Sequence, residues 1–256
     1  IGVSGLGGVA GTGAPVLDLL ADAAGIPVAE IAGADVRLAD TQAPVRLGVS
    51  GELFASPRLD NLSSVFAGLT ALLEGETARG TLSLLAAFDH EELGSESRSG
   101  ASGPFLEEVL GRLFAGLGAG PEERARAFAG SWCLSADAGH AVHPNYPERH
   151  DPHVRPQPGG GPMLKVNANQ RYASDAHGAA LWLRCAEAAG VATQTFVSNN
   201  EIPCGSTIGP LTATRTGIRT VDVGVPLLSM HSARELAHVD DLHALGRIAA
   251  SFFAGA

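Results

Sequence analysis

The chain has 256 residues, 45% of them hydrophobic, which is enough for one large α/β domain or for a domain with part of another. Its formal net charge of -10 argues against a nucleic-acid or anionic-membrane surface, and no stretch approaches the ~20 apolar residues of a membrane span. The three cysteines, Cys133, Cys185 and Cys204, lack CxxC spacing and therefore fit a reducing cytoplasm better than a disulfide framework.

The first fifty or so residues are predicted to be the end of a small α+β segment. The chain begins at Ile1 with a glycine-rich run and no basic region, so it does not resemble a signal peptide. Residues 16–24 form an amphipathic pattern that Gly25 should end, which predicts a short helix. Residues 31–38 alternate loosely and predict a strand.

From Arg58 onward the pattern predicts helices alternating with buried strands. Apolar residues at helical spacing predict a helix from about Asn61 to Leu73, and the continuous apolar run 81–88 predicts a strand buried on both faces. In chain order the further expected elements are a helix at 105–114, a strand at 131–136, a proline-rich loop at 146–162, a helix at 173–189, a strand at 191–197, a helix at 207–216, a strand at 218–223 and a helix at 240–253. This order favours a mostly parallel, three-layer α/β sheet.

Four acidic residues and one histidine occupy the expected edge of that sheet. Glu91 and Glu92 follow the predicted strand at 81–88, Asp137 follows the strand at 131–136, and Asp60 stands at a helix mouth. Taken singly, each is weak evidence for function and is more simply explained as a helix N-cap (Asp60), a solvated charge pair (Glu91 and Glu92), a turn residue (Asp137) or a satisfied hydrogen-bond partner (His231). Taken together, anions at one edge repel each other unless cations neutralise them, which predicts a metal centre.

The adjacent glutamates indicate hydrolysis. Carboxylates and imidazole are ligands that zinc and similar divalent ions accept. One glutamate can reach a metal while its neighbour takes a proton from water.

Six ordered blocks resemble the M18 aspartyl aminopeptidases, which are zinc exopeptidases, and the resemblance runs from about Asp40 to the C-terminus. The blocks are RLDNL (58–62), FDHEELGS (88–95), SADAGHAVHPNY (135–146), KVNANQRYASD (165–175), PCGSTIGP (203–210) and GIRTVDVGVPLLSMHSARE (217–235).

The resemblance implies a role for each residue of the predicted centre. Asp60 is expected to bridge two zinc ions, with Glu92 and His231 completing one site and Asp137 binding in the other. Glu91 is expected to be the general base.

One departure from the family pattern concerns the N-terminus. The family takes a further ligand from a histidine in an HxD motif before RLDNL, and no histidine precedes His90 here. Residues 1–50 resemble the last part of the family's inserted dimerisation domain, and residues 51–256 resemble its catalytic zinc-peptidase domain without its N-terminal part. We therefore expect the native protein to be longer.

Lys165 is the only lysine in the chain and is expected to recognise an acidic substrate side chain. Tyr172 and Met230 are further expected substrate contacts. His140 and His143 follow Asp137 closely and are either ligand-orienting or subunit-contact residues, or ordinary loop histidines.

The function expected from these features is a cytoplasmic di-zinc aminopeptidase acting on peptides with N-terminal Asp or Glu. The resemblance implies a homo-oligomer, a tetrahedral dodecamer. Two alternatives are a di-zinc aminopeptidase of broader specificity and a non-catalytic shell or scaffold protein that lacks one metal site.

Overall fold

The computed structural model describes residues 16–255, and the chain divides after Ala39 into two units. In the first unit, helix α1 (Val16–Ala24) ends at Gly25, as predicted. The strand expected at 31–38 is wrong, because these residues form no strand and Val36 and Leu38 are exposed. Loose apolar alternation does not make a strand when no neighbouring strand completes its hydrogen bonds. The predicted domain boundary near residue 50 stays a prediction.

The larger unit contains both helices and strands, as the sequence indicates, but they alternate one by one only between residues 163 and 224. Its strands are β1 (Val45–Leu47), β2 (Leu53–Ser56), β3 (Trp132–Ala136), β4 (Gly139–His140), β5 (Met163–Val166), β6 (Gln194–Val197), β7 (Arg219–Gly224), β8 (Pro226–Leu228) and β9 (Glu235–His238). Its helices are α2 (Leu59–Glu74), α3 (Phe105–Gly116), α4 (Pro121–Gly130), α5 (Ala176–Ala189), α6 (Ile208–Thr216) and α7 (Val239–Ala254). The α/β class is confirmed.

One sheet has four strands in the order β3-β7-β5-β6. Strand β3 runs parallel to β7 and β5 runs parallel to β6, whereas β5 and β7 are antiparallel. Helices cover both of its faces. A Cβ built on Gly178 of α5 would meet Val221, whereas one on Gly209 of α6 would meet the neighbouring Asp222. Because successive side chains of a strand point to opposite faces, α5 and α6 lie on opposite sides of β7.

The core lies between this sheet and helices α5 and α7. Trp182 of α5, Leu245 and Ile248 of α7 and Val221 and Val223 of β7 are all almost fully buried in one cluster. Within residues 16–255, no helix is both long enough and apolar enough to cross a membrane.

A second sheet, of five strands in the order β1-β2-β9-β8-β4, is not predicted by the sequence patterns. Its strands are three or four residues long, or two in β4, which is too short for a period of two residues to be recognised. It continues the first sheet, because backbone hydrogen bonds join Asp137 to Val223 and Gly139 to Val225 between the two. Asp137 therefore lies where the sheets meet.

The strand predicted at 81–88 is wrong. This segment is described without any strand pairing, and Leu82 and Leu84 are exposed rather than buried on both faces. Eight apolar or small residues favour an extended chain, but a strand needs a hydrogen-bonding neighbour, and none of the described strands pairs with this one. The apolar run therefore indicates an extended segment that leads to Glu91, but it does not show whether a neighbouring strand pairs with that segment.

The buried carboxylate of Asp222 connects β7 to its neighbours. It accepts hydrogen bonds from the Ser135 hydroxyl (2.6 Å), the Thr207 hydroxyl (2.6 Å) and the Ala173 amide (2.6 Å). Thr207 is also the residue that caps α6, so the same interaction fixes the start of that helix. The sequence signal was an acidic residue inside an apolar strand, which burial tolerates only when its oxygens are satisfied.

Candidate metal centre

All ten candidate site residues from the sequence line one cavity of about 580 Å³ in the larger unit. They are Asp60, Glu91, Glu92, Asp137, His140, His143, Lys165, Tyr172, Met230 and His231. The cavity lies near the junction of the two sheets, and its lining includes Asp137 directly after β3 and residues 229–231 directly after β8. Open α/β sheets commonly bind their ligands at such an edge.

Asp60 is held by an irregular start of α2. Arg58 has left-handed backbone angles, and Asp60 and Asn61 are non-helical, so the helix becomes regular only after them. The N-cap explanation for Asp60 is wrong, because no side-chain capping bond forms at this end. Its carboxylate points into the cavity with only 5% of the side chain exposed.

Glu91 and Glu92 lie on a single 3-10 turn, Glu91–Leu93. The turn is bounded by His90 and Gly94, which both have left-handed backbone angles. Glu91 is half-buried, whereas Glu92 is exposed on the cavity side.

The His231 ring lies close to both the Asp60 and the Glu92 carboxylates. Its Nε2 atom lies 3.2 Å from Asp60 Oδ2 and 3.1 Å from Glu92 Oε2. One ligand atom from each of these three residues lies within 4.8 Å of the other two, which is the spacing expected around a single cation. Three protein ligands with an open fourth position are typical of catalytic zinc.

Asp137 lies outside this group of three. Its Oδ2 atom is 3.0 Å from the Lys165 ammonium, which also donates to the carbonyl of Ala138. Gly224 allows this arrangement, because a Cβ there would stand 1.7 Å from the Asp137 carbonyl oxygen. Lys165 is only 2% exposed, so its charge is directed at Asp137.

The acidic groups repel each other. Burial, followed by the charges of Asp137 and Glu92, raises the pKa of Asp60 to about 9. Burial and the same two charges raise the pKa of Glu91 to about 7. The buried Oδ1 atom of Asp60 has no hydrogen-bond partner. A buried acceptor without a donor, beside a second carboxylate and an imidazole, fits a divalent cation such as zinc.

The other predicted residues surround this centre. The His140 ring lies 6.4 Å from that of His231, and the His143 ring lies 5.1 Å from Tyr146. Tyr172 is buried with its ring 5.5 Å from the Lys165 ammonium, and burial raises the pKa of its hydroxyl. Met230 is partly buried beside His231.

Sequence reasoning did not identify Glu235. Its buried carboxylate accepts the backbone amides of Asp60 (2.8 Å) and His231 (2.7 Å). Glu235 is the last residue of the sixth block of the family resemblance (217–235), but no pattern in the sequence distinguishes it from a surface glutamate.

Together, the fold and the site define an α/β protein with a half-buried carboxyl group, Glu91, beside three residues that could hold one metal ion. The family profile described as Aminopeptidase I zinc metalloprotease (M18) matches residues 12–253. The chain belongs to this M18 family.

Relatives and solved structures agree with this assignment. A probable M18 family aminopeptidase 2 of Streptomyces avermitilis is 53% identical over 234 residues, which are 90% of this chain and 54% of the relative. A chain of the cryo-EM structure of the Ape4 and Nbr1 complex aligns with a TM-score of 0.81 and 38% identity over 93% of this chain and 47% of that one. The mApe1 dodecamer of S. cerevisiae aligns with a TM-score of 0.78 and 31% identity, over 94% of this chain and 54% of its own. The chain thus spans about half the length of the curated relatives it matches.

Replacing Asp60 should separate stability from metal binding. Asp60→Asn keeps the size of the side chain but removes an ionisable group. Burial and the charges of Asp137 and Glu92 disfavour the charged form of that group. We expect the metal-free protein to gain about 1 kcal/mol of unfolding free energy, because functional groups of this kind are held at a cost to stability. Urea unfolding in the presence of a chelator measures this gain, and the stabilisation produced by added zinc should fall.

The matched control is Asp89→Asn, which removes an exposed carboxylate three residues before Glu92. It should change neither quantity. A loss of metal-free stability in Asp60→Asn would contradict the repulsion inferred for this cluster.

Proposed function

We propose that this protein is a zinc aminopeptidase that removes unblocked N-terminal Asp or Glu residues from peptides. The observation that carries the proposal is the position of Glu91, a half-buried carboxyl group directly preceding a residue of the Asp60, Glu92 and His231 cluster. Membership of the M18 family supports the class of reaction.

Asp60, Glu92 and His231 are proposed to hold one zinc ion, and Asp60 and Asp137 a second. Bound zinc polarises the scissile carbonyl and lowers the pKa of water. Side chains of the protein are proposed to transfer the proton and to recognise the substrate. The cavity of about 580 Å³ is large enough to hold the end of a peptide.

Glu91 is proposed to move the proton. A general base works best when its pKa lies near the operating pH, and the pKa of Glu91 is raised to about 7. Its carboxylate accepts a proton from the attacking water and then donates that proton to the amine that leaves.

Glu91→Gln tests this role. The amide retains the shape of the side chain but cannot accept the proton, so kcat should fall by about 10²–10⁴-fold. Zinc content should be unchanged, because Glu91 is not among the proposed ligands. Hydrolysis of aminoacyl-p-nitroanilides and zinc analysis of the same preparation measure both quantities.

Glu96→Gln is the matched control, because Glu96 is an exposed glutamate at the end of the same loop. It should retain full activity. Equal activity of Glu91→Gln and the unaltered protein would refute the proposed base. If the unaltered protein binds zinc but hydrolyses no peptide, the scaffold alternative takes its place.

Lys165 is proposed to recognise the acidic side chain of the substrate. It lines the cavity beneath Tyr172, and its ammonium is a compact charge that suits one carboxylate. In the structure this ammonium is paired with Asp137 at 3.0 Å. The proposal therefore requires Asp137 to turn to a metal, which leaves the ammonium for the substrate.

The same ion pair favours a second candidate function, a broader specificity in which Lys165 only neutralises Asp137. Lys165→Met distinguishes the two. If Lys165 recognises the substrate, kcat/KM for Asp and Glu substrates should fall at least about tenfold more than kcat/KM for Leu or Ala substrates, as expected for a lost charged hydrogen bond.

Arg149→Met is a suitable control, because Arg149 is an exposed cation that lines the same cavity. It should leave the ratio of acidic to neutral hydrolysis unchanged. Equal losses on both substrate classes in Lys165→Met would contradict acidic recognition and support the broader specificity.

We further propose that the protein assembles into a tetrahedral homododecamer and acts in the cytoplasm. The structural likeness to the mApe1 dodecamer supports the assembly, and three cysteines without CxxC spacing support a reducing compartment. Sedimentation velocity of the purified protein should give a mass near twelve subunits; a monomer or dimer would contradict the assembly.

A further inference from the structure

Glu235 connects two residues of the proposed metal centre that lie far apart in the chain. It is the first residue of β9, faces Ser56 of β2 across the second sheet, and is 2% exposed. Its Oε2 atom accepts the amide of Asp60 at 2.8 Å, and its Oε1 atom accepts the amide of His231 at 2.7 Å. One buried carboxylate therefore holds the backbone of two of the three residues in the cluster.

Both residues need such support, because no regular element fixes their backbone. Asp60 has φ -80° and ψ 114° within the irregular start of α2. His231 has φ 67°, in the left-handed region that side chains other than glycine rarely occupy. The hydrogen bonds to Glu235 fix both amides, and so determine where the two side chains enter the cavity.

A carboxylate is required for this double contact. Each of its oxygens accepts a separate amide hydrogen. A glutamine in the same place has one acceptor oxygen, and its NH₂ group would face the other amide as a second donor. One of the two backbone amides would then lose its partner in a buried position.

We propose that Glu235 is a positioning residue that sets Asp60 and His231 in their metal-binding geometry before the metal arrives. This inference rests on the metal centre of the proposed function. Groups that orient metal ligands affect affinity because they remove the cost of ordering those ligands on binding.

Asp241 provides a matched control elsewhere in the chain. It is 1% exposed, and its two oxygens accept the amides of Gly159 (2.7 Å) and Gly161 (2.8 Å). The chemistry is therefore the same as at Glu235, but the backbone it holds is a loop that carries none of the proposed ligands.

Glu235→Gln and Asp241→Asn should be compared in the purified protein by two measurements. Zinc affinity is measured by competition with a fluorescent chelator, and the stability of the metal-free protein by urea unfolding. Both variants should be less stable than the unaltered protein. Only Glu235→Gln should bind zinc more weakly, by about 10–100-fold, as is usual when a ligand-orienting group is lost.

The outcomes separate this inference from the proposed function. If Glu235→Gln loses stability as Asp241→Asn does but binds zinc as tightly as the unaltered protein, Glu235 is only structural and the inference is overturned. If the unaltered protein binds no zinc, the metal centre and the inference both fail. If zinc binding weakens as expected while the unaltered protein hydrolyses no peptide, the aminopeptidase proposal fails and the inference stands.

Hydrogen–deuterium exchange of the unaltered, metal-free protein gives a second test that does not depend on the folding of Glu235→Gln. The amides of Asp60 and His231 should exchange slowly, because a buried carboxylate holds both. Rapid exchange of both amides would show that the ligands are not held before metal binding, and would overturn the inference.

Discussion

The mutual repulsion of the carboxylates where the two sheets meet is the constraint around which the larger unit is organised. Asp60, Glu91, Glu92 and Asp137 all line one cavity, and the Lys165 ammonium contacts only Asp137 among them. Burial, followed by the like charges of Asp137 and Glu92, raises the pKa values of Asp60 and Glu91. The surrounding backbone holds these groups together. Asp137 directly follows β3, and its carbonyl lies so close to position 224 that only glycine fits there. The Glu235 carboxylate accepts the backbone amides of Asp60 and His231.

The buried acids of this protein fall into two kinds that the residue type alone does not separate. Asp222, Glu235 and Asp241 each have both oxygens engaged by hydroxyl or amide donors, so their burial contributes to the architecture. Asp60, in contrast, has one buried oxygen with no donor at all. The presence or absence of a hydrogen-bond donor at each buried oxygen therefore distinguishes a carboxylate that stabilises the fold from one that is available to a ligand. The first kind also supports the second, since Glu235 positions the chain at Asp60.

The sequence predicted most of the long elements, although not α4, and predicted the isolated ones poorly. The helices α2, α5 and α7 and strands β3 and β7 occur where apolar periodicity placed them, because each buries a face that the pattern encodes. The start of α5 at Ala176, three residues later than expected, follows from the Asp175 side chain, which caps the helix by accepting the Gly178 amide. The strands expected at 31–38 and 81–88 do not form, since a strand depends on a partner that no local pattern can specify. For the same reason the short strands of the second sheet were not foreseen.

By itself, the sequence determined the class of the fold, the M18 family and the set of residues that meet at the cavity, because these follow from periodicity and from short blocks whose order is fixed along the chain. Only the tertiary structure decided which of those residues can contact the same cation and which of them pair with each other. It brings Asp60, Glu92 and His231 within reach of one cation and turns Asp137 toward Lys165. It also shows Glu235 accepting the amides of residues from separate parts of the chain. Such contacts depend on distances of about 3 Å between atoms of remote segments, and these distances are set by how helices and sheets pack rather than by any local pattern.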